Sequence, residues 1–348
     1  MRVSARDQQT VGPVAGSSNG GAGDGSAAVS IVHITHRHEP AFAWFVDSLA
    51  PQLQPGDQLE VIFVDGLHGQ ERTDALERLV DGRFAFRHVP AKPNPWNGAH
   101  RLTRVEYSAP SSARNTGIVY ATNPYIVFVD DLCFLTAGWW QQVKTAAREE
   151  VVVAGAYQKR HEMVVEGGAL VSSRLEQEGL DCRWERGDDR APVLIGGGEL
   201  FGAGIGAPRA LLVELNGFDE LCDPVGGEDY HLGLRIEWTG APIYYCRAML
   251  AIESEELHHQ RPVVVRHDEQ VEPAAYLRRL HEFGVRHRST EGPCDAGHLI
   301  LDILLGTRSL TTMGNYYSLR SLSEFDLQST IVRFPRTHWV DHRPLARL

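Results

Sequence analysis

The chain has 348 residues, 43% hydrophobic and 23% charged, an ordinary globular balance that excludes a collagen-like, wholly disordered or coiled-coil protein. A net charge of -11 argues against nucleic acid as a partner, because affinity for a phosphate backbone comes from clustered Lys and Arg. No run approaches the roughly 20 apolar residues of a spanning helix, and no apolar signal core follows Arg2, so the expected address is cytoplasmic, with a peripheral place at a membrane left open. Cys133, Cys182, Cys222, Cys246 and Cys294 show no C-x-x-C spacing and read as free thiols.

From Met1 to Ala27 the chain is Gly, Ser, Ala and polar residues without apolar period, the pattern of a disordered leader. The β-branched run Ala28–Thr35 (AVSIVHIT) predicts a strand, and Phe42, Phe45, Val46 and Leu49 predict a helix over Pro40–Leu53. The alternation repeats with strand Leu59–Asp65, helix Glu71–Val80, strand Phe84–Val89, a helix over Ser111–Ala121 and strand Tyr125–Asp130. A helix from Gly138 to Glu150 and a strand at Val151–Tyr157 follow. Repeated β-α units with near-continuous apolar strands imply a Rossmann-like α/β fold, a parallel sheet covered by helices on both faces. Beyond lie a glycine-rich stretch (Gly196–Gly206), a short helix near Pro208, a loop (Asn216–Gly227), a helix at Glu228–Thr239 and a strand at Pro242–Arg247. Two further helices are expected at Pro273–Phe283 and near Leu299–Leu305.

In open α/β sheets ligands lie beyond the carboxyl ends of the strands, where the strand order reverses. Three strand ends carry polar residues there: Thr35 to Arg37, Asp65, and Asp130 with Asp131. Such carboxylates can ligate a divalent ion or accept from a ribose or base; any one alone also reads as a helix cap. Glu228 and Asp229, which open a helix, read equally as acids complementing its dipole. Trp139 and Trp140 open another helix, where core packing outweighs sugar stacking.

Together these segments resemble a GT-A-fold glycosyltransferase of the family 2 type. The resemblance rests on SIVHITHRHEP (Ser30–Pro40), VIFVDG (Val61–Gly66), SARNTGI (Ser112–Ile118), YIVFVDDL (Tyr125–Leu132), and NGFDE with GGEDYHLGLR between Asn216 and Arg235. It covers roughly residues 28–253. It implies a GT-A domain over 28–255, with a mostly parallel central sheet flanked by helices; a partly helical C-terminal extension over 256–348 lies outside it. It also implies transfer of a sugar from a nucleotide-diphosphate sugar to an acceptor hydroxyl with inversion. By this likeness Thr35, Asp65, Arg114, Asp130 and Asp131 would bind the donor, Asp65 through base or ribose. Asp229 would be the general base, supported by Glu228. In a transferase Glu199 could contact a donor or acceptor hydroxyl, and Trp96 is an acceptor-contact candidate from its setting in the Pro-rich loop Ala91–Trp96. Mg²⁺ or Mn²⁺ on Asp130 and Asp131 would neutralise the departing diphosphate.

One departure stands in the motif: Leu132 occupies the third position, where the family carries the main metal-ligating acid. Asp131 could take over, with His258, His259 or His267 as a further ligand, or the enzyme could dispense with metal. The departure keeps a non-catalytic nucleotide-sugar binder in view. A third class, an NAD-dependent oxidoreductase, rests on GAGIGA (Gly202–Ala207), which fits G-x-G-x-x-A but lacks the strand before it and the acid after it. A glycan, lipid-linked, small-molecule or protein acceptor is compatible with the sequence.

Overall fold

A computed structural model describes residues 27–92, 108–187, 189–201, 204–215, 217–218, 220, 223 and 227–260. The expected leader, both expected C-terminal helices and nearly all of the expected C-terminal extension lie outside the described residues.

Strands β1 (Ala28–Thr35), β2 (Gln58–Asp65), β3 (Ala85–Pro90) and β4 (Tyr125–Asp130) run parallel in the order β3-β2-β1-β4. Their apolar residues feed two cores by turns. Val29, Ile31, Val61, Phe63, Val127 and Val129 pack with residues of α1 (Phe42–Leu49), α2 (Gln70–Val80) and α4 (Trp139–Glu149). Val32, Ile34, Ile62, Val64, Ile126 and Phe128 pack instead with Ala113 and Ile118 of α3 (Pro110–Tyr120). Strands β1, β2 and β4 are covered on both faces over most of their length and are largely apolar, which is why these runs showed no alternation, whereas β3 at the sheet edge is partly exposed. The helix expected over Pro40–Leu53 is shorter: α1 ends at Leu49, and Pro51 lies in a 3-10 turn over Ala50–Gln52.

The second half departs from an all-parallel sheet. β4 is followed by β5 (Cys133–Leu135), β6 (Val152–Glu166), β7 (Ala169–Leu180), β8 (Val193–Ile195), β9 (Ile205–Pro208) and β10 (Ile243–Ser254), giving a ten-stranded sheet. β6 and β10 pair in parallel, whereas β9 runs antiparallel to both β4 and β6. Strand β6 continues well past Tyr157 and turns back as β7, and β10 runs on past Arg247 to Ser254 across an irregularity between Cys246 and Leu250. Helices α5 (Arg209–Glu214), α6 (Glu228–Thr239) and α7 (Glu255–Gln260) complete the described chain.

Strand β9 removes the structural basis of the oxidoreductase reading. A dinucleotide turn requires a strand that ends in glycines and hands over to a helix. Here Ile205–Pro208 is itself a strand wedged between β4 and β6. Gly206 is needed for that fit, since a Cβ there would lie 2.7 Å from Tyr125 Oη and 2.8 Å from Val153 Cγ1. Trp139 and Trp140 are fully buried, as core packing predicted, and Trp140 Nε1 donates to Asp57 at 2.6 Å. Among the described residues no helix is long and apolar enough to cross a membrane.

Candidate active site

The strand order reverses between β2 and β4 on either side of β1, and a cleft of about 230 Å³ opens at that crevice. Thr35, His36 and Arg37 line it from the end of β1, and Asp130 and Asp131 from the end of β4. Arg114 reaches it from α3, Glu228 from α6, and Glu253 and His258 from the late strand and helix. Pairing of Ile34 with Asp130 places the two strand ends side by side.

Asp131 is held from both sides. Thr35 Oγ1 donates to its Oδ2 at 2.7 Å, and Arg37 Nε lies 3.0 Å from Oδ1 and 2.9 Å from Oδ2. Burial nevertheless keeps its carboxyl above the ordinary value, against the pull of Arg37. Asp130 is pushed up to about 6 by burial, with the charges of Glu253 and Asp131 adding and Arg114 opposing.

Arg114, 2% exposed, joins the cleft's two walls. Its Nη2 donates to Asp130 Oδ1 at 2.7 Å and its Nη1 to Glu228 Oε1 at 2.6 Å, while its guanidinium lies over the Phe218 ring, 5.3 Å from the centroid. Burial alone would lower its pKa, but the charges of Asp130, Glu228 and Asp229 keep it a cation. Asp229 follows Glu228 in the first turn of α6; it is half-buried, and its Oδ1 accepts from the Tyr230 amide at 2.7 Å. Gly227, at φ 81°, brings the chain into that helix.

Asp65 is not among the residues that line the cleft. Its Oδ1 accepts from the Leu67 amide at 2.8 Å, and its Oδ2 accepts from Arg72 Nε at 2.7 Å and faces His88 Nε2 at 3.2 Å. Burial raises its pKa, but the bonds from His88 and Arg72 outweigh that and hold the carboxyl below the ordinary value. Arg72 also donates to the carbonyls of Arg37 and His38, so the pair braces the turn that carries Arg37.

Glu199 lies away from the cleft lining: its Oε2 accepts from Arg186 at 2.9 Å and from the Gly196 amide at 3.1 Å. Trp96 and His267 lie outside the described residues. His259 is exposed beside Glu255 at 3.5 Å, whereas His258 does enter the cleft, with Nε2 at 2.9 Å from Glu253 Oε2 and Nδ1 at 3.4 Å from Arg37. His36 and Arg37 lie in the polar strand end the sequence marked but were given no role, and Glu253 was not singled out. Arg37 had a signal, its place in the polar turn after β1; Glu253 had none, because its strand was read as ending at Arg247.

Whether these side chains suit a divalent cation can be judged from their charge and donor type. Asp130, Asp131, Glu228 and Glu253 outnumber Arg37 and Arg114 around the cleft, and carboxylate and imidazole donors are those that Mg²⁺ and Mn²⁺ accept. The donor set therefore fits a cation in charge. Its present arrangement is turned toward the arginines: among the described residues no group of three or more His, Cys, Asp or Glu side chains is placed to hold a metal ion, and Leu132 is fully buried.

Residues 30–186 match the family described as Glycosyl transferase family 2. Among solved structures the chain is similar to GalNAc-T7 with UDP, GalNAc and Mn²⁺ (12% identity, TM-score 0.51, covering 89% of this chain and 55% of that one). It is also similar to S. aureus TarS (14% identity, TM-score 0.46, covering 80% and 43%). A third is the mannosyltransferase PcManGT from Pyrobaculum calidifontis in complex with GDP-Man and Mn²⁺ (18%, TM-score 0.44, covering 86% and 74%). The chain thus spans about half the length of the TarS and GalNAc-T7 chains it matches. No curated protein matches it in sequence.

Proposed function

We propose that the protein, whose residues 30–186 match the Glycosyl transferase family 2 model, transfers a sugar from a nucleoside-diphosphate donor to an acceptor hydroxyl with inversion. The observation that carries this reading is the cleft at the strand-order reversal, where Asp130 and Asp131 meet Arg37 and Arg114 beside the acidic start of α6. Thr35, Arg114, Asp130 and Asp131 bind the donor. Asp65 serves the nucleoside end, where exchanging its 3.2 Å His88 contact for a ribose or base donor leaves the Arg72 pair intact. A Mg²⁺ or Mn²⁺ held by Asp130 and Asp131, with His267 or His258 as a further ligand, would supply positive charge to the departing diphosphate.

Asp229 takes the proton of the acceptor hydroxyl as that oxygen attacks the anomeric carbon. The bond from that carbon to the diphosphate oxygen breaks, its electron pair leaves with the nucleoside diphosphate, and a single displacement inverts the centre. Glu228, fixed by Arg114, orients the turn that presents Asp229. Glu199 and Trp96 are assigned to the acceptor, a glycan, lipid-linked or small-molecule hydroxyl in polysaccharide or glycoconjugate synthesis, with the enzyme cytoplasmic or peripheral at a membrane. The buried Leu132 supports a second reading, a binder of nucleotide sugars without turnover.

The test is a thermal-shift panel of UDP, GDP, dTDP, CMP and NAD, with and without Mn²⁺, in which a ligand at about 100 times its Kd stabilises by ~2.7 kcal/mol. One nucleoside diphosphate should give that shift, and Asp229→Asn should keep it while transfer falls by ~10²–10⁴. Stabilisation by NAD alone would sink the transferase reading, and binding without transfer in the wild type would leave the binder.

A further inference from the structure

Helix α3 carries Arg114 but does not fix its own start. Ala109, at φ 47° and ψ 60°, precedes it and offers no side-chain cap, so the first-turn amides need acceptors from elsewhere. Asp223 supplies them from a distant part of the chain: its Oδ1 accepts from the Ser111 amide at 2.6 Å and its Oδ2 from the Ser112 amide at 3.2 Å. The same stretch of chain grips the next turn. Glu220 accepts from Asn115 Nδ2 at 2.8 Å and from the buried Lys92 Nζ at 2.7 Å, and Asn115 Oδ1 accepts from the Phe218 amide at 2.7 Å. Ser111 and Asn115 lie one turn apart on one face of α3, and Arg114 stands on the adjoining face, reaching Asp130 and Glu228.

We infer that Asp223 is a positioning residue: by capping α3 from the chain that leads into α6, it sets the depth and rotation at which Arg114 bridges the two walls of the cleft. A guanidinium that spans two carboxylates at 2.6 and 2.7 Å has little slack. Anchoring the helix one turn earlier keeps it within the fraction of an ångström that a functional constellation tolerates. The inference rests on the transferase reading, because the consequence it names is donor affinity.

The experiment is a double-mutant cycle on Asp223→Ala and Arg114→Lys, titrating UDP, GDP and dTDP by calorimetry. Asp223→Ala should weaken the nucleotide that binds by about tenfold, equivalent to ~1.4 kcal/mol. The double variant should bind no more weakly than Arg114→Lys alone, because both changes remove the same bridge. Asp223→Asn, which retains one acceptor oxygen, should recover part of the loss and serves as the folded alternative should the alanine variant not fold. Full affinity in Asp223→Ala, or losses that simply add in the double variant, would overturn the inference while leaving the transferase reading intact. If the wild type binds none of the three nucleotides, both fall together.

Discussion

The two walls of the cleft are built by different means. Thr35, Arg37, Asp130 and Asp131 stand at the ends of β1 and β4, two strands buried on both faces and locked side by side by their ladder. Glu228 and Asp229 arrive on α6, whose place depends on side-chain and glycine contacts: Arg114 at its start, Gly197 against its middle, and Arg235 donating to the carbonyls of Leu215 and Gly217. A ladder of backbone bonds tolerates most substitutions, whereas a wall held by a few specific contacts does not. Damage to the binding half and damage to the proposed catalytic half should therefore look different.

The largest effect is expected at the joint between the walls. Arg114→Met strands Asp130 and Glu228 without their shared cation and should cost ~3–5 kcal/mol in a denaturant titration. A loss under ~1 kcal/mol would mean that the walls hold without their bridge. A smaller effect, confined to the α6 wall, is expected from Gly233→Ala. A Cβ there would sit 1.9 Å from the Gly197 carbonyl, a backbone atom that cannot swing aside, and such crowding costs ~1–3 kcal/mol. Nucleotide binding at the strand-end wall should survive in that variant while transfer falls; equal loss of both would show that the walls are not separable.

A third effect is one of pH. The Asp130 carboxyl, ordinarily at 3.8, is pushed up to about 6 in the fold, so the native state holds a proton there that the unfolded chain has released. The folded protein accordingly gains stability as pH falls from about 6 toward 3.8, and that gain should be absent in Asp130→Asn. A variant whose stability rises over the same window would move the proton to another group.

How much could be read beforehand follows the same division. Strands β1, β2 and β4 announced themselves because burial on both faces makes most of their residues apolar, and β1 and β4 placed Thr35, Asp130 and Asp131 where the structure has them. The start of α6 at Glu228 was legible from its acids. Beyond Tyr157, β6 runs as QKRHEMVVE and returns as the half-exposed β7, where charged residues mask the two-residue period. Four-residue β9 carries a glycine, which weakens any strand signal. The pairings that matter to the site were out of reach for another reason. Arg37 and Asp131 are 94 residues apart, and Arg114 and Glu228 114 apart; no spacing rule joins residues that only the folded sheet brings together. Asp65 was visible as a strand-end acid, but its commitment to Arg72 and His88 was not.

Leu132 has a bearing on how this motif can be altered. It sits directly after the two strand-end aspartates in a left-handed backbone, φ 61°, a geometry that costs a branched side chain ~1–2 kcal/mol and that Asp or Asn enters more easily. The backbone would thus welcome an acid at this position. The side chain, however, is fully enclosed, and a carboxylate placed there would be a buried charge without a partner. Placing an acid at this position accordingly calls for two changes in concert, one to supply the oxygen and one to open its surroundings, and a chain with only the first would be the least stable of the series.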